Sequence, residues 1–214
     1  MPRRKRWQLP DAPPQPAADD ASNRVLAEIA HAVVQAGEAR DAYQFALDRA
    51  CPAVGASLGA VFLLDGAAEV MRPVAAHNWP ERWRRWLGEM RVRVGFGPAG
   101  EAAAERRLIE VGDVFADAAL EDWQEVAREL GFRGIVSVPI VGPAGLAGAA
   151  SFYFAAPGSQ SAGTKVLLRV VSDLLATAHE LDRLRRQLRL AEAALEDERS
   201  AATPRREDTE ATDA

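Results

Sequence analysis

One stretch constrains this chain more than any other: Arg91 to Asp117, RVRVGFGPAGEAAAERRLIEVGDVFAD. A short alternating run feeds Gly95-Phe-Gly-Pro-Ala-Gly100. A brief helical piece follows, then a second apolar run and two aspartates, Asp113 and Asp117. Gly95-x-Gly97-x-x-Gly100 has the letters of a dinucleotide-binding fingerprint. That motif also needs a helix long enough to cross a sheet, a parallel strand behind it, and free amides to cradle phosphate. Here the helical piece spans only Ala99 to Arg107, and Pro98 removes one of the amides. The plainer reading is a tight turn that bends the chain over the mouth of a pocket. Asp117 reads as the N-cap of the next helix and Asp113 as a turn former, rather than as an acid/base pair.

The surrounding pattern is mixed helix and strand. Val25, Leu26, Ile29, Val33 and Val34 share one helical face, and a second helix follows Gly37 and closes at Pro52 and Gly55. Leu58–Leu64 (LGAVFLL) is apolar on both faces, as a strand covered on each side would be. Asp65-Gly66 turns the chain, and Glu69 to Ala76 returns as a second strand. Trp79, Trp83, Trp86 and Met90 then fall on one face of a short helix. These indoles either pack the helix on the sheet or line a cavity for a flat, apolar ligand. After the glycine stretch, Leu120 to Leu130 is amphipathic and stops at Gly131. Ile135–Val141 and Leu146–Ala155 form a strand pair around Gly142-Pro143-Ala144-Gly145. A long helix begins near Ser161 or Gly163. Its apolar positions Leu167, Val171, Leu174, Ala178, Leu181, Leu184, Leu188, Ala191 and Leu195 recur at spacings of three and four. That is nearly a heptad seam, with a stammer near Leu184.

This pattern divides the chain into a basic, proline-rich tail over 1–20 that is expected to be disordered, a folded unit over 21–180, a helical extension over 181–199 that forms a coiled coil, and a polar tail over 200–214. The Arg3-Arg4-Lys5-Arg6 run reads as a solvated tail. No apolar segment follows it, so no signal peptide is expected, and no run reaches the roughly 18 apolar residues that span a bilayer. A cytoplasmic protein with no membrane partner is the expectation. Net charge is −5 and pI near 5.3, which argues against nucleic-acid binding.

Catalysis finds little support in the residue types. A single cysteine, Cys51, excludes a disulfide framework within the chain and reads as a small buried residue at a helix end. His31, His77 and His179 have no metal-ligand spacing among themselves. Ser137 and Ser151 lie in strands without a nucleophile elbow. The chain is expected not to be an enzyme, and no cofactor is expected.

The order of parts resembles the GAF domain. The residues that carry this are Gly95, Gly97 and Gly100; Ile109-Glu-Val-Gly-Asp113-Val-Phe-Ala-Asp117; Gly131-Phe-Arg-Gly-Ile-Val-Ser-Val-Pro139-Ile; and Gly148-Ala-Ala-Ser-Phe152. The resemblance spans roughly Arg24 to Leu184. It implies an α+β fold of GAF/PAS type: a central antiparallel sheet of five or six strands with helices on both faces, plus the long C-terminal helix. The terminal helices would pack on one face. The Trp-bearing helix, the glycine loop and the Leu120–Leu130 helix would enclose a ligand cavity on the other. The family's pocket position, with strand alternation, gives Phe62, Val74, Trp79, Trp83, Phe96, Asp113, Trp123, Ser137 and Tyr153 as candidate ligand contacts. Leu181, Leu184, Leu188 and Leu195 are the candidate dimer helix.

Family patterns also exclude ligands. Bilin-binding members attach chromophore through a pocket cysteine, and Cys51 precedes the first strand. The Asn-Lys-Phe-Asp-Glu set of cyclic-nucleotide binders is absent, and one thiol cannot supply the cysteines of methionine sulfoxide reductases. Arg106-Arg107 replaces the usual small residue before the Asp-containing strand. The resemblance therefore implies a sensory module that binds an unidentified small molecule and signals, as a homodimer, to a separate protein. A ligand-free dimerisation scaffold is the alternative, favoured if the cavity is stuffed by its own tryptophans.

Overall fold

Leu58–Leu64 and the Gly/Ala-rich run at 145–154 are the two stretches whose residues suit burial on both faces, and they form the middle of the sheet. The computed structural model describes residues 17–66 and 69–202. In chain order these are α1 (Ala17–Gln35), α2 (Ala39–Val54), β1 (Leu58–Leu64), β2 (Val70–His77), α3 (Glu81–Glu89), β3 (Val92–Arg93), α4 (Gly97–Glu105) and β4 (Ile109–Val111). Two 3₁₀ turns (Val114–Ala116 and Ala118–Trp123) lead to α5 (Gln124–Leu130), β5 (Gly134–Gly142), β6 (Gly145–Phe154) and α6 (Ala162–Ala202). The six strands pair in the order β3-β2-β1-β6-β5-β4, every pair antiparallel.

Strand alternation sorts the side chains into two cores. Val61, Val136, Val138, Ile140, Ala150, Phe152 and Phe154 face α1, α2 and α6. Leu58, Ala60, Phe62, Ile135, Ala149 and Tyr153 face α3, α4 and α5. A Cβ on Gly148 would lie 1.9 Å from the Phe62 carbonyl oxygen, so close approach of β6 to β1 requires glycine there. Cys51 is fully buried and packs over Gly59, where a Cβ would meet its Sγ at 2.6 Å. Burial, with the Asp48 charge adding, pushes its thiol up to about 12, so it stays protonated and unreactive.

One irregularity redirects a predicted site residue. Val61 pairs with Ala75 and Phe62 with Pro73, leaving Val74 as the extra residue of a β-bulge. Val74 and Ala75 consequently both turn to the helix side. Val74 therefore does not belong to the α3–α4–α5 side, where unbroken alternation from Ala76 would have put it.

The helical boundaries follow local chemistry. α2 runs through Pro52 rather than stopping there, and ends on Gly55 in the left-handed region (φ 72°). α5 ends on Gly131, φ 74°, whose N–H donates to the Ala127 carbonyl. The expected Leu120–Leu130 helix is a 3₁₀ turn followed by a shorter α-helix. The Ser161 Oγ accepts the Thr164 N–H at 3.0 Å and opens α6. α1 begins at Ala17, inside the stretch expected to be a tail; the rest of that expectation, 1–16, and residues 203–214 lie outside the described residues.

α6 has two parts. Leu167, Leu168, Val171, Leu175 and Ala178 are buried, and Leu181 packs against the same core. Residues 186–199 are exposed throughout, a projecting segment of about 20 Å at 1.5 Å per residue. At the point of departure the Arg185 guanidinium donates to the Ala36 and Val34 carbonyls, at 2.6 and 3.4 Å. It thereby satisfies backbone acceptors at the end of α1 that have no helical partner. No helix among the described residues is long and apolar enough to cross a membrane.

Candidate functional site

The glycine stretch makes a turn and not a phosphate cradle. Gly95 and Gly97 have φ of 87° and 65°, values that side chains with a Cβ rarely adopt. The Gly95 N–H donates to the Gly100 carbonyl at 2.8 Å, and the Phe96 N–H to the Arg93 carbonyl at 3.1 Å. A Cβ on Gly100 would sit 2.2 Å from the Arg93 carbonyl oxygen. Each glycine thus answers a backbone requirement. α4 is nine residues long and β4 runs antiparallel to β5, so the parallel crossover of a dinucleotide fold is missing.

This turn lies at the edge of a cavity between the sheet and α4. Phe62, Val92, Phe96, Gly97, Pro98, Ala99, Trp123, Ile135, Ser151 and Tyr153 line it. Its volume is about 20 Å³, room for one water molecule. Four expected contacts, Phe62, Phe96, Trp123 and Tyr153, are in this lining. Ser137 lies beside it, its Oγ 2.8 Å from Ser151 Oγ, both side chains buried. Tyr153 adds a third hydroxyl: burial raises its pKa, a hydrogen bond with Ser151 opposes that, and the phenol remains neutral. The floor therefore offers hydroxyls and no charge.

Indoles fill the space above. Trp79 stacks near Trp86 with ring centroids 6.3 Å apart, Trp83 meets Trp86 edge-on at 5.2 Å, and Trp86 meets Trp123 edge-on at 6.4 Å. Trp79 also stands edge-on to Tyr153 at 5.8 Å and donates its Nε1–H to the Gly59 carbonyl at 3.0 Å. Trp79 and Trp83 thus belong to the roof and not to the cavity lining. Trp83 Nε1 is the one buried side-chain polar atom without a hydrogen-bond partner among the described residues.

Two expected contacts lie elsewhere. Val74 is turned to the opposite face by the bulge. Asp113 accepts the Phe115 N–H at 3.1 Å and pairs with Arg133. The Arg133 hydrogen bond holds its carboxyl below the usual range, with the Phe115 amide contributing. Asp117 caps the next turn by accepting the Ala119 N–H at 3.0 Å. Both aspartates serve turns, as their spacing and type predict. Of the contacts not anticipated, Ser151 and Ile135 were within reach of sequence reasoning, since they share strand faces with Tyr153 and Ser137. Pro98, noted only as an obstacle to phosphate, is itself part of the lining. No group of three or more His, Cys, Asp or Glu side chains that could hold a metal occurs among the described residues.

The six-stranded antiparallel sheet with helices on both faces defines a fold class, and the comparisons name it. The family model described as GAF domain matches residues 36–180. The chain belongs to the GAF domain family. Search of curated sequences found no match. Among solved structures, the chain is similar to the GAF domain of a phosphoenolpyruvate-protein phosphotransferase from Coxiella burnetii (18% identity, 80% of this chain and 99% of that one, TM-score 0.68). It is similar also to free methionine-R-sulfoxide reductase from Neisseria meningitidis in complex with its substrate (18%, 81% and 98%, 0.65). A third is the phycocyanobilin-bound GAF domain of a cyanobacterial phytochrome (16%, 77% and 96%, 0.62). At these identities the likeness establishes the fold.

Proposed function

We propose that this chain is a GAF-type sensory module that takes a small, uncharged, flat ligand between sheet and indole roof, and signals as a homodimer through α6 to a partner protein. The observation that carries the reading is the floor of three buried hydroxyls under an aromatic roof. Ser137, Ser151 and Tyr153 can orient a neutral polar edge, while Trp123 and Phe96 cover an apolar body. Because the space holds one water, a guest must displace part of the roof. Phe96 is 63% exposed and lies at the turn, so it is the side chain with least to lose by moving. Displacing the roof gives the bound and free states different structures, which is what a switch needs. The projecting half of α6, with Leu184, Leu188 and Leu195 exposed, supplies the self-association surface.

The same 20 Å³ volume favours a second reading, a ligand-free scaffold whose indoles are permanent core. Native mass spectrometry of the purified chain separates the two. A co-purifying small molecule, released on denaturation, supports sensing. A dimer of the bare sequence mass, unchanged across expression hosts, supports the scaffold.

A further inference from the structure

A second cleft lies on the other face of the sheet, between α2, β2 and α6. Its volume is about 430 Å³, within the range that small-molecule sites occupy. Leu63, Pro73 and Val74 provide its apolar floor, and the β2 bulge is what turns Val74 toward it. Tyr43 and His179 stand at the back, hydrogen-bonded at 3.2 Å.

The charges in the cleft are unequally satisfied. Burial raises the Tyr43 phenol, and burial, with the Arg186 charge adding, lowers the His179 imidazole, so both are neutral near pH 7. Asp182, 7% exposed, is paired with Arg186 at 2.6 Å. Arg40 from α2 and Arg189 from α6 border the same space, and neither has an ion pair, hydrogen bond or ring contact among the described residues. The acid left over is Glu38, at the rim. Two uncommitted guanidiniums against one uncommitted carboxylate give the mouth a positive balance, and guanidinium forks match carboxylate and phosphate oxygens. The GAF match ends at residue 180, so Asp182, Arg186 and Arg189 come from the helix beyond it. One wall of this cleft is thus built by the base of the helix that leaves the domain.

We propose that this cleft binds a small organic anion, a carboxylate or phosphate ester with an apolar body, held between Arg40 and Arg189 with its body on Leu63 and Val74. Bound there, the anion bridges the domain and the base of the projecting helix, and so holds α6 in one orientation. The site is separated by the sheet from the hydroxyl floor and does not depend on that floor taking a ligand.

Calorimetry on the full chain tests this with phenyl phosphate, benzoate and the neutral benzyl alcohol as probes. At least one anion should bind one per chain, with benzyl alcohol about tenfold weaker or worse. Whichever of the two anions binds identifies the preferred head group. Arg40→Gln with Arg189→Gln should lower that affinity by about tenfold. Both side chains are exposed and unpaired, so the variant should melt like the parent. Arg24→Gln with Arg82→Gln removes equal charge elsewhere and should change nothing. Amide exchange should slow over residues 183–195 when the anion is added, while exchange in α4, which borders the hydroxyl floor across the sheet, stays constant. The proposal is overturned if benzyl alcohol binds as well as the anions, if the double variant binds unchanged, or if neither anion binds at about 10 mM, a level ordinary charge-assisted sites reach. An anion that binds but slows exchange in α4 and not over residues 183–195 also overturns it, and points to the roof instead.

Discussion

Removing Trp123 tests most directly whether the GAF cavity is filled by the protein itself. The indole packs over Gly97, whose Cβ position lies 3.8 Å from Trp123 Nε1, and edge-on to Trp86. Trp123→Ala deletes that indole and joins its volume to the existing 20 Å³. The new space is on the order of 150 Å³, the size of engineered cavities that bind benzene, though open to solvent on the side where Trp123 is partly exposed. Truncating a buried aromatic costs about 3–5 kcal/mol, and because Trp123 is half-buried we expect a loss near the lower end, about 3 kcal/mol. Urea unfolding at constant m-value reads this directly. Free indole should then refill the hole. At ten times its dissociation constant it should restore about 1.4 kcal/mol, from the linkage of ligand binding to folding. Wild-type protein should gain less, since a guest there must first displace the roof. A loss below about 1 kcal/mol, or equal stabilisation of both proteins by indole, would refute the self-filled cavity.

Three further outcomes follow from the geometry. Gly100→Ala forces a Cβ against the Arg93 carbonyl, a backbone atom that cannot swing aside, and should cost at least about 1–3 kcal/mol in chemical denaturation. His179 has a depressed pKa in the folded state, so the unfolded chain binds more protons between that value and the ordinary imidazole value; stability should fall as pH drops from 7 toward 5, and His179→Gln should flatten that slope. Leu188→Asp with Leu195→Asp places charges at 59% and 53% exposed positions of α6, leaving the domain's stability intact while lowering the apparent mass in light scattering if the helix is the dimer seam; an unchanged mass removes it from that role.

Much of the fold was legible because alternation and helical spacing survive wherever elements are regular. Phe62 and Tyr153 were placed correctly by period-two reasoning on strands without interruption. Val74 was misplaced by the same reasoning, because one inserted residue reverses every face beyond it, and only Pro73, a residue that cannot donate to a ladder, hinted at the break. Asp113 and Asp117 were legible as turn formers, since their side chains bond an amide two residues on. Cavity volume was not legible at all. Whether Trp79, Trp83, Trp86 and Trp123 leave room for a guest depends on how three indoles of one segment mesh with a fourth from another, and spacing carries no record of that. The helix-side cleft was hidden for a similar reason: Arg40 and Arg189 lie far apart in the chain, and each looks like an ordinary solvated residue until α2 and α6 pack together.

The Arg185 contact gives α6 a fulcrum. The helix is continuous from Ala162 to Ala202, with neither glycine nor proline after Gly163 to absorb a bend. Its buried and projecting portions must therefore move as one rod. A tilt of about 5° at the fulcrum carries the far end of a 20 Å arm by roughly 2 Å, enough to separate side chains that were touching. Small rearrangements beneath the sheet are in this way carried to a distance, with no flexible joint required.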